Sequence, residues 1–144
     1  MENSSELHAW LDEYALSHQN ATNIIIHKIC VPTITFTVLG FLCHLIPMLV
    51  IGPVLTFYFR LSTKMAIAMS ILLSMAFIIL GIMEQKHVRI FRVSLLIFVL
   101  AWIGQFIGHD IEGKKPSFFK DLQFLAIGPL WTLASAFRAL GIEY

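Results

Sequence analysis

Charged residues are scarce in this chain. Asp, Glu, Lys and Arg make up 13% of its 144 residues, about half the share that is usual in soluble proteins. Hydrophobic residues make up 58%, and the mean hydropathy is +0.79. The formal net charge of +1 argues against nucleic acid as a partner held by bulk electrostatic attraction. The composition predicts an integral membrane protein in contact with lipid.

Several common sequence signatures are also missing. The cysteines, Cys30 and Cys43, lie within apolar runs without C-x-x-C or zinc-type spacing, so we interpret them as small buried hydrophobic residues. Residues 1–20 are acidic and polar, unlike a signal peptide, so we predict insertion through the chain's own helices. A serine nucleophile elbow, a phosphate loop and an H-E-x-x-H helix are absent from the sequence. These absences disfavour the commoner hydrolase and nucleotide chemistries.

Apolar stretches, in contrast, fill most of the chain. Five of them follow the polar N-terminus, at Ile29–Cys43, Leu45–Phe59, Met65–Met83, Ile90–Ile107 and Leu122–Leu140. The last three approach the ~20 residues that a spanning helix needs. The first two are shorter and contain prolines, which kink helices or turn a chain back inside the membrane. The pattern predicts an all-α polytopic membrane bundle of about four to five transmembrane or membrane-embedded helices.

A short amphipathic helix is predicted over Glu6–Ser17, ahead of the bundle. Its apolar residues recur at helical spacing, at Leu7, Trp10, Leu11 and Tyr14. Such a helix either lies on the membrane surface or packs against the bundle, and the sequence leaves both alternatives open. Without repeats or linkers, we predict one membrane domain over residues 1–144, with an amphipathic segment at 1–22 and a helical bundle at 23–144.

Histidines at the ends of apolar helices are the candidate metal ligands. Three histidines lie where an apolar helix meets a polar segment: His18, His27 and His109. Each has a polar residue four positions earlier that would orient its ring, and we predict these residues as catalytic: Tyr14, Asn23 and Gln105. The other histidines are interpreted as solvent, loop or interface residues: His8, His44 and His87.

The chain must bend and cross the membrane correctly for these histidines to meet. His18 and His27 are nine residues apart and would face opposite sides of one straight helix. We therefore predict a helix break over Gln19–Asn23, with Thr22 or Asn23 as the N-cap of the next helix. His109 reaches the same side of the membrane only after an even number of crossings. The four apolar stretches between His27 and His109 meet this condition if all of them span.

Carboxylates and lysines near His109 extend the candidate site. Neutral imidazoles with a carboxylate bind Fe, Zn, Cu or Ni, and a two-His-one-carboxylate face suits Fe(II) that activates oxygen. Glu112 is included in the predicted ligand set, with Asp110 as a lesser candidate. The lysines Lys114, Lys115 and Lys120 would draw in a carboxylate or an anionic headgroup, or simply extend to the lipid surface. In the alternative interpretation, the histidines only cap helices.

Two blocks of sequence around these histidines resemble a known family. The first block, Tyr14–Pro32, has the pattern Y-x-x-x-H-Q-N-x-x-N-x-x-I-H-x-I-x-V-P. The second, Trp102–Pro116, begins W-I-x-Q-F-I-G-H, and Leu122–Trp131 continues it. Both are similar to the histidine motifs of small membrane proteins related to the fungal endoplasmic reticulum 2-hydroxy fatty acid dioxygenase.

The resemblance implies a specific activity. It implies an Fe(II)-dependent dioxygenase that shortens 2-hydroxy fatty acids by one carbon with O₂ and keeps the acyl tail among apolar helices. A bacterial inner membrane and the endoplasmic reticulum are both compatible locations. The alternatives are a non-enzymatic membrane protein that binds lipid or a partner, and a zinc-dependent lipid hydrolase. A transporter is disfavoured because no acid or base lies mid-span in the apolar stretches.

Overall fold

The computed structural model of the chain describes residues 4–42, 47–113, 124 and 126–144. Its helices are α1 (Ser4–Ala15), α2 (Ala21–Leu42), α3 (Pro47–Leu61), α4 (Thr63–Gln85), α5 (Ile90–Glu112) and α6 (Ile127–Ala139). The described residues contain no strand, so the predicted all-α membrane bundle is confirmed. The predictions for Cys43, His44, Lys114, Lys115 and Lys120 lie outside the described residues.

Three helices of the described chain are long and apolar enough to cross a membrane. These are α2, α4 and α5, with 22, 23 and 23 residues. A helix of that length rises about 33–35 Å, which matches a hydrocarbon core of about 30 Å. Large apolar side chains such as Ile71 and Leu96 point outward, 57% and 63% exposed. Lipid rather than water is therefore the medium that suits the outer surface of the bundle.

Two of the apolar stretches differ from expectation. The first was predicted to be short, but it belongs to the 22-residue α2, which continues through Pro32. Pro is tolerated within membrane helices because neighbouring groups satisfy the freed backbone. The last was expected to approach spanning length, yet the described part of Leu122–Leu140 contains only the 13-residue α6. Gly128 and Pro129 lie in the first turn of α6, where proline costs no hydrogen bond.

The predicted break between His18 and His27 is present, but its cap is a different residue. The chain turns over residues 16–20, and α2 begins at Ala21. The Asn20 side-chain oxygen accepts from the backbone N–H of Thr22 at 2.9 Å and of Asn23 at 3.4 Å. Asn20 is therefore the N-cap, and the prediction of Thr22 or Asn23 was wrong. An N-cap precedes the first helical residue and receives the amides of the first turn.

The amphipathic helix α1 packs against one end of the bundle. Leu7, Leu11 and Tyr14 are buried in a cluster with Tyr58 of α3 and Leu130 of α6. Tyr58 donates its hydroxyl to the carbonyl of Ala126 at 2.6 Å. Of the two alternatives for α1, packing against the bundle is the one observed. Helices α1 and α6 together cover this end of the bundle.

Glycines allow α2 and α5 to pack closely along their length. A Cβ added at Gly104 would lie 2.7 Å from Cys30 Sγ. Added at Gly40 or Gly108, it would collide with Ser94 or Asn23. Small residues let helix backbones approach in membrane proteins. Helices α2 and α5 are therefore in close contact at these three glycines.

The order of crossings brings the start of α2 and the end of α5 to the same end of the bundle. Ile51, near the start of α3, packs in a cluster with Leu39 and Leu80. Leu61, at the end of α3, packs in the other cluster with Leu7. Helix α3 thus runs from one cluster to the other although it has only 15 residues. The helices α2, α3, α4 and α5 thus alternate in direction between the two clusters, while a full membrane crossing by the shorter α3 stays a prediction.

Candidate metal centre

The three candidate ligands lie together at the end of the bundle that α1 covers. His18 follows α1, His27 lies in the second turn of α2, and His109 lies near the end of α5. The ring centroids are 4.1 Å apart for His18 and His27, 5.0 Å for His27 and His109, and 6.1 Å for His18 and His109. All three residues are buried, with exposures of 6%, 2% and 7%.

The spacing of the rings is close to that around a shared cation, but only the His27–His109 distance of 5.0 Å matches it. With metal–nitrogen distances of about 2.0–2.1 Å, imidazoles on one ion have centroids roughly 4.5–5.5 Å apart. The observed distances bracket this range. The ring orientations differ from a coordinated set, because His18 and His109 each meet His27 edge to face. Among the described residues, no group of three or more His, Cys, Asp and Glu side chains has a geometry that could hold a metal ion.

Backbone carbonyls set the tautomers of two rings. His18 Nδ1 lies 2.7 Å from the Tyr14 carbonyl, and His27 Nδ1 lies 3.1 Å from the Asn23 carbonyl. Because a carbonyl only accepts, we assign the proton of each ring to Nδ1, which leaves the lone pair on Nε2. Metal-binding histidines commonly donate their second nitrogen in this way. The expected i−4 partners are thus present, but they act through the backbone instead of the side chain.

His109 has a different environment. Its Nδ1 is buried and has no hydrogen-bond partner among the described residues. Burying a polar atom without a hydrogen-bond partner lowers the stability of the fold. Such an atom therefore points to a bound group that would complete the site. Gln105 was expected to hold the His109 ring, but His109 Nδ1 has no such partner in the described part of the chain, and Gln105 borders the same cavity as His27 and His109. The chemistry of the donors, two oriented rings and one open ring nitrogen, therefore fits a divalent metal.

An aromatic wall covers the His18 side of the site. The Tyr14 ring stacks on His18 with centroids 4.3 Å apart and an interplanar angle of 8°. Trp131 lies 5.5 Å from His18 and 5.3 Å from Tyr14, and Phe124 lies 5.5 Å from Tyr14. Neither Trp131 nor Phe124 was predicted as a site residue. The block Leu122–Trp131, which continues the second motif, was the available signal.

Glu112 connects all three histidine-bearing segments. Its Oε1 accepts from the backbone N–H of Gln19 at 2.9 Å, and its Oε2 accepts from the backbone N–H of Asn20 at 3.0 Å. The Asn23 side-chain amide also donates to Oε2, at 2.8 Å. Both carboxylate oxygens are therefore engaged by amides of the turn and of α2. Asp110, the lesser candidate, is exposed.

A small cavity adjoins the histidines. Its volume is about 50 Å³, and it is bounded by His27, His109, Gln105 and three aromatic residues, Tyr14, Trp102 and Phe124. A water needs about 10–15 Å³ measured in this way. The cavity therefore suits dioxygen or a small polar head, and it is too small for an acyl chain.

Comparison with known proteins gives one family and one curated relative. Residues 4–140 match the family model described as 2-hydroxy-palmitic acid dioxygenase Mpo1-like. The chain is 28% identical over 145 residues to the 2-hydroxy-palmitic acid dioxygenase MPO1 of Saccharomyces cerevisiae. That alignment covers 94% of this chain and 82% of the relative. No solved structure matches.

Proposed function

The chain belongs to the Mpo1-like family, and from this premise we propose that it is an Fe(II)-dependent membrane dioxygenase that shortens 2-hydroxy fatty acids by one carbon. The observation that carries the proposal is the gathering of His18, His27 and His109, whose ring centroids lie 4.1–6.1 Å apart. Three buried imidazoles from distant parts of a chain are costly to collect unless they bind something. The curated relative is named as a dioxygenase of a 2-hydroxy acid.

In this proposal the three histidines hold the metal, and backbone carbonyls orient two of them. The proton on Nδ1 of His18 and of His27 directs Nε2 of each ring to the ion. The buried Nδ1 of His109 supplies the third nitrogen. Iron(II) bound there would supply the redox chemistry through which O₂ reacts with the acid, and it would orient both reactants.

The neighbouring residues position the acid and exclude water. The Gln105 amide borders the cavity beside His27 and His109, where it can donate a hydrogen bond to the carboxylate of the substrate. The stacked rings of Tyr14 and Trp131 close the His18 side. A dry site strengthens each polar interaction inside it.

The overall reaction needs no separate reductant. Cleavage of the bond between the carboxyl carbon and the hydroxyl-bearing carbon converts the acid and O₂ into the shortened acid, CO₂ and water, with atoms balanced. The substrate therefore supplies all the electrons that reduce O₂. We accordingly propose a 2-hydroxy fatty acid and O₂ as the reactants, with membrane lipid as the surroundings.

The test is metal analysis and oxygen uptake with anaerobically purified protein. We expect bound iron, and oxygen consumption with 2-hydroxypalmitic acid but not with palmitic acid. His109→Asn should lose both. His87→Asn is the matched control, since His87 is exposed at the opposite end of the bundle. Iron content that is unchanged by His109→Asn would refute the assignment of this ligand.

The same experiment separates the alternatives. A zinc-dependent lipid hydrolase would use similar ligands, but it would contain zinc and would consume no oxygen. A non-enzymatic lipid-binding protein would bind no metal and would give no shortened acid. Either result would overturn the proposed function.

A further inference from the structure

A groove opens on the side of the bundle. It lies between α2, α4 and α6, and has a volume of about 520 Å³. We call it the lateral groove, and its wall includes Pro32, Thr35, Leu39, Met75, Ala76 and Thr132. The volume falls within the ~300–1,000 Å³ of typical small-molecule sites. Along α4 it extends from Met69 to Ile79, a rise of ~15 Å.

The wall of the lateral groove offers an apolar surface although it contains two threonines. Thr35 donates its hydroxyl to the Val31 carbonyl at 3.0 Å, and Thr132 donates to the Gly128 carbonyl at 3.1 Å. Both hydroxyls are therefore satisfied within their own helices. The other side chains in the wall are hydrocarbon or thioether. A ligand gains no hydrogen bond from these two hydroxyls, so the groove suits an alkyl chain better than a polar molecule.

The lateral groove adjoins the histidine cavity. Val31 and Ile34 line the cavity, and their chain neighbours Pro32 and Thr35 line the groove. Across from α2, a Cβ at Gly128 would lie 2.9 Å from Val31 Cγ1 and 3.1 Å from Tyr14 Oη. The next residue, Pro129, lines the groove. The two spaces thus occupy neighbouring faces of α2, and the contact between Gly128 and Val31 lies between them.

The opposite side of α2 faces α5. A Cβ at Gly104 would lie 2.7 Å from Cys30 Sγ, and one at Gly40 would collide with Ser94. Helix α5 therefore packs tightly against α2 at these two positions. A long molecule with its head at His27 and His109 would reach the lateral groove past the contact between Gly128 and Val31.

We propose that the lateral groove binds the hydrocarbon tail of a long-chain 2-hydroxy acid whose carboxylate end lies in the histidine cavity. This inference rests on the proposed function for the identity of the head. The cavity of about 50 Å³ holds only the head, so the tail needs a second space. The lateral groove has the polarity, the length and the position that the tail requires.

Photocrosslinking tests the location of the tail. The full chain in lipid nanodiscs is mixed under argon with a 2-hydroxy fatty acid that carries a diazirine in the middle of its tail. We expect labelling of Met69–Ile79 in α4 and of Thr132–Ala136 in α6. An excess of 2-hydroxypalmitic acid should abolish this labelling, whereas added phospholipid should not. Labelling spread over the outer face of α5, or labelling that the competitor leaves intact, would overturn the proposal.

A pair of matched variants tests the volume of the lateral groove. Ala136 lines the groove, whereas Ala139 is an exposed alanine one turn later that does not. We expect Ala136→Phe to weaken binding of a sixteen-carbon 2-hydroxy acid at least tenfold and of an eight-carbon acid less than threefold, by displacement of a fluorescent fatty acid. Ala139→Phe should change neither. Equal effects on both chain lengths, or from both variants, would contradict the proposal.

A second variant and a comparison of readouts keep the test decisive. If Ala136→Phe does not fold, Ala76→Phe narrows the same groove from α4 and carries the same expectation. Crosslinking under argon is independent of turnover. Labelled groove residues without oxygen consumption would therefore count against the proposed function alone. Oxygen consumption without groove labelling would count against the groove alone.

Discussion

Both ends of this bundle contain histidine and charged residues, but three histidines are buried at one end and His87 is exposed at the other. At the histidine end, His18, His27 and His109 are each no more than 7% exposed. At the opposite end, in the loop between α4 and α5, His87 and the charged residues around it are exposed. Polar residues at a membrane interface need no burial, because water and headgroups satisfy them. Burial at one end alone therefore separates the candidate functional site from an ordinary interfacial loop.

Replacing a buried and an exposed histidine gives the largest expected difference between the ends. His27→Asn should lower 2-hydroxy acid turnover at least ~100-fold and abolish stable iron binding, because it removes a ligand that metal binding requires. His87→Asn should leave both within about twofold, because exposed sites away from special features tolerate substitution. Metal content and oxygen uptake measure the effects. Normal iron content in His27→Asn would remove the functional distinction between the ends.

Glu112→Gln tests the clamp, by which we mean the hydrogen bonds from the backbone N–H groups of Gln19 and Asn20 to the Glu112 carboxylate. The clamp joins α5 to the turn after α1. The variant loses a charged acceptor of backbone amides, so we expect ~1–3 kcal/mol lower stability and ~10–100-fold weaker metal affinity. Amide hydrogen exchange at Gln19 and Asn20 should accelerate even without metal. Glu84→Gln is the matched control, because Glu84 is exposed at the other end. Unchanged exchange at both amides would show that the clamp does not hold the turn.

Two glycine substitutions compare the packing at the two ends. A Cβ at Gly108 would collide with the side-chain oxygen of buried Asn23, whereas one at Gly81 meets nothing within 4 Å. We expect Gly108→Ala to destabilise the protein by about 1–3 kcal/mol. Gly81→Ala should be neutral or stabilise α4 by up to about 1 kcal/mol, because alanine favours helix. Thermal unfolding in detergent measures both, and equal shifts would argue against tight packing at the histidine end.

Helix caps give the smallest expected difference. Asn20 caps α2 with its side chain, whereas Arg89, at the N-cap of α5, makes no side-chain cap hydrogen bond. Asn20→Ala should cost ~1 kcal/mol, and Arg89→Ala should cost less than ~0.5 kcal/mol. Thermal unfolding provides the measurement. A larger loss in Arg89→Ala would reverse the comparison.

Patterns along the chain predicted much of the fold and the location of the site. The apolar stretches predicted from hydropathy match α4 and α5, because a lipid-facing helix must be apolar along its whole length. The nine-residue interval between His18 and His27 predicted a break, which the structure contains. The length of α6 was missed, because a short helix packed under α1 has the same apolar composition as a spanning one.

The roles of individual polar groups were harder to predict. Gln105 was expected to orient His109 from the same helix, but it borders a cavity that His27 of another helix also lines. The role of Glu112 as a metal ligand stays a prediction, but helical spacing did not predict that its oxygens accept from amides 89 to 93 residues earlier in the chain. Helical spacing describes neighbours within one helix, and these contacts join different helices.

The amino-acid sequence by itself determined that this protein is helical, that its surroundings are lipid, and that His18, His27 and His109 lie at helix ends. These properties follow from composition and from order along the chain. Only the tertiary structure decided which helices are neighbours, which carbonyls orient the rings, and where the lateral groove opens beside them. Such features depend on contacts between distant segments and on how closely glycines let two helices approach, and hydropathy encodes neither.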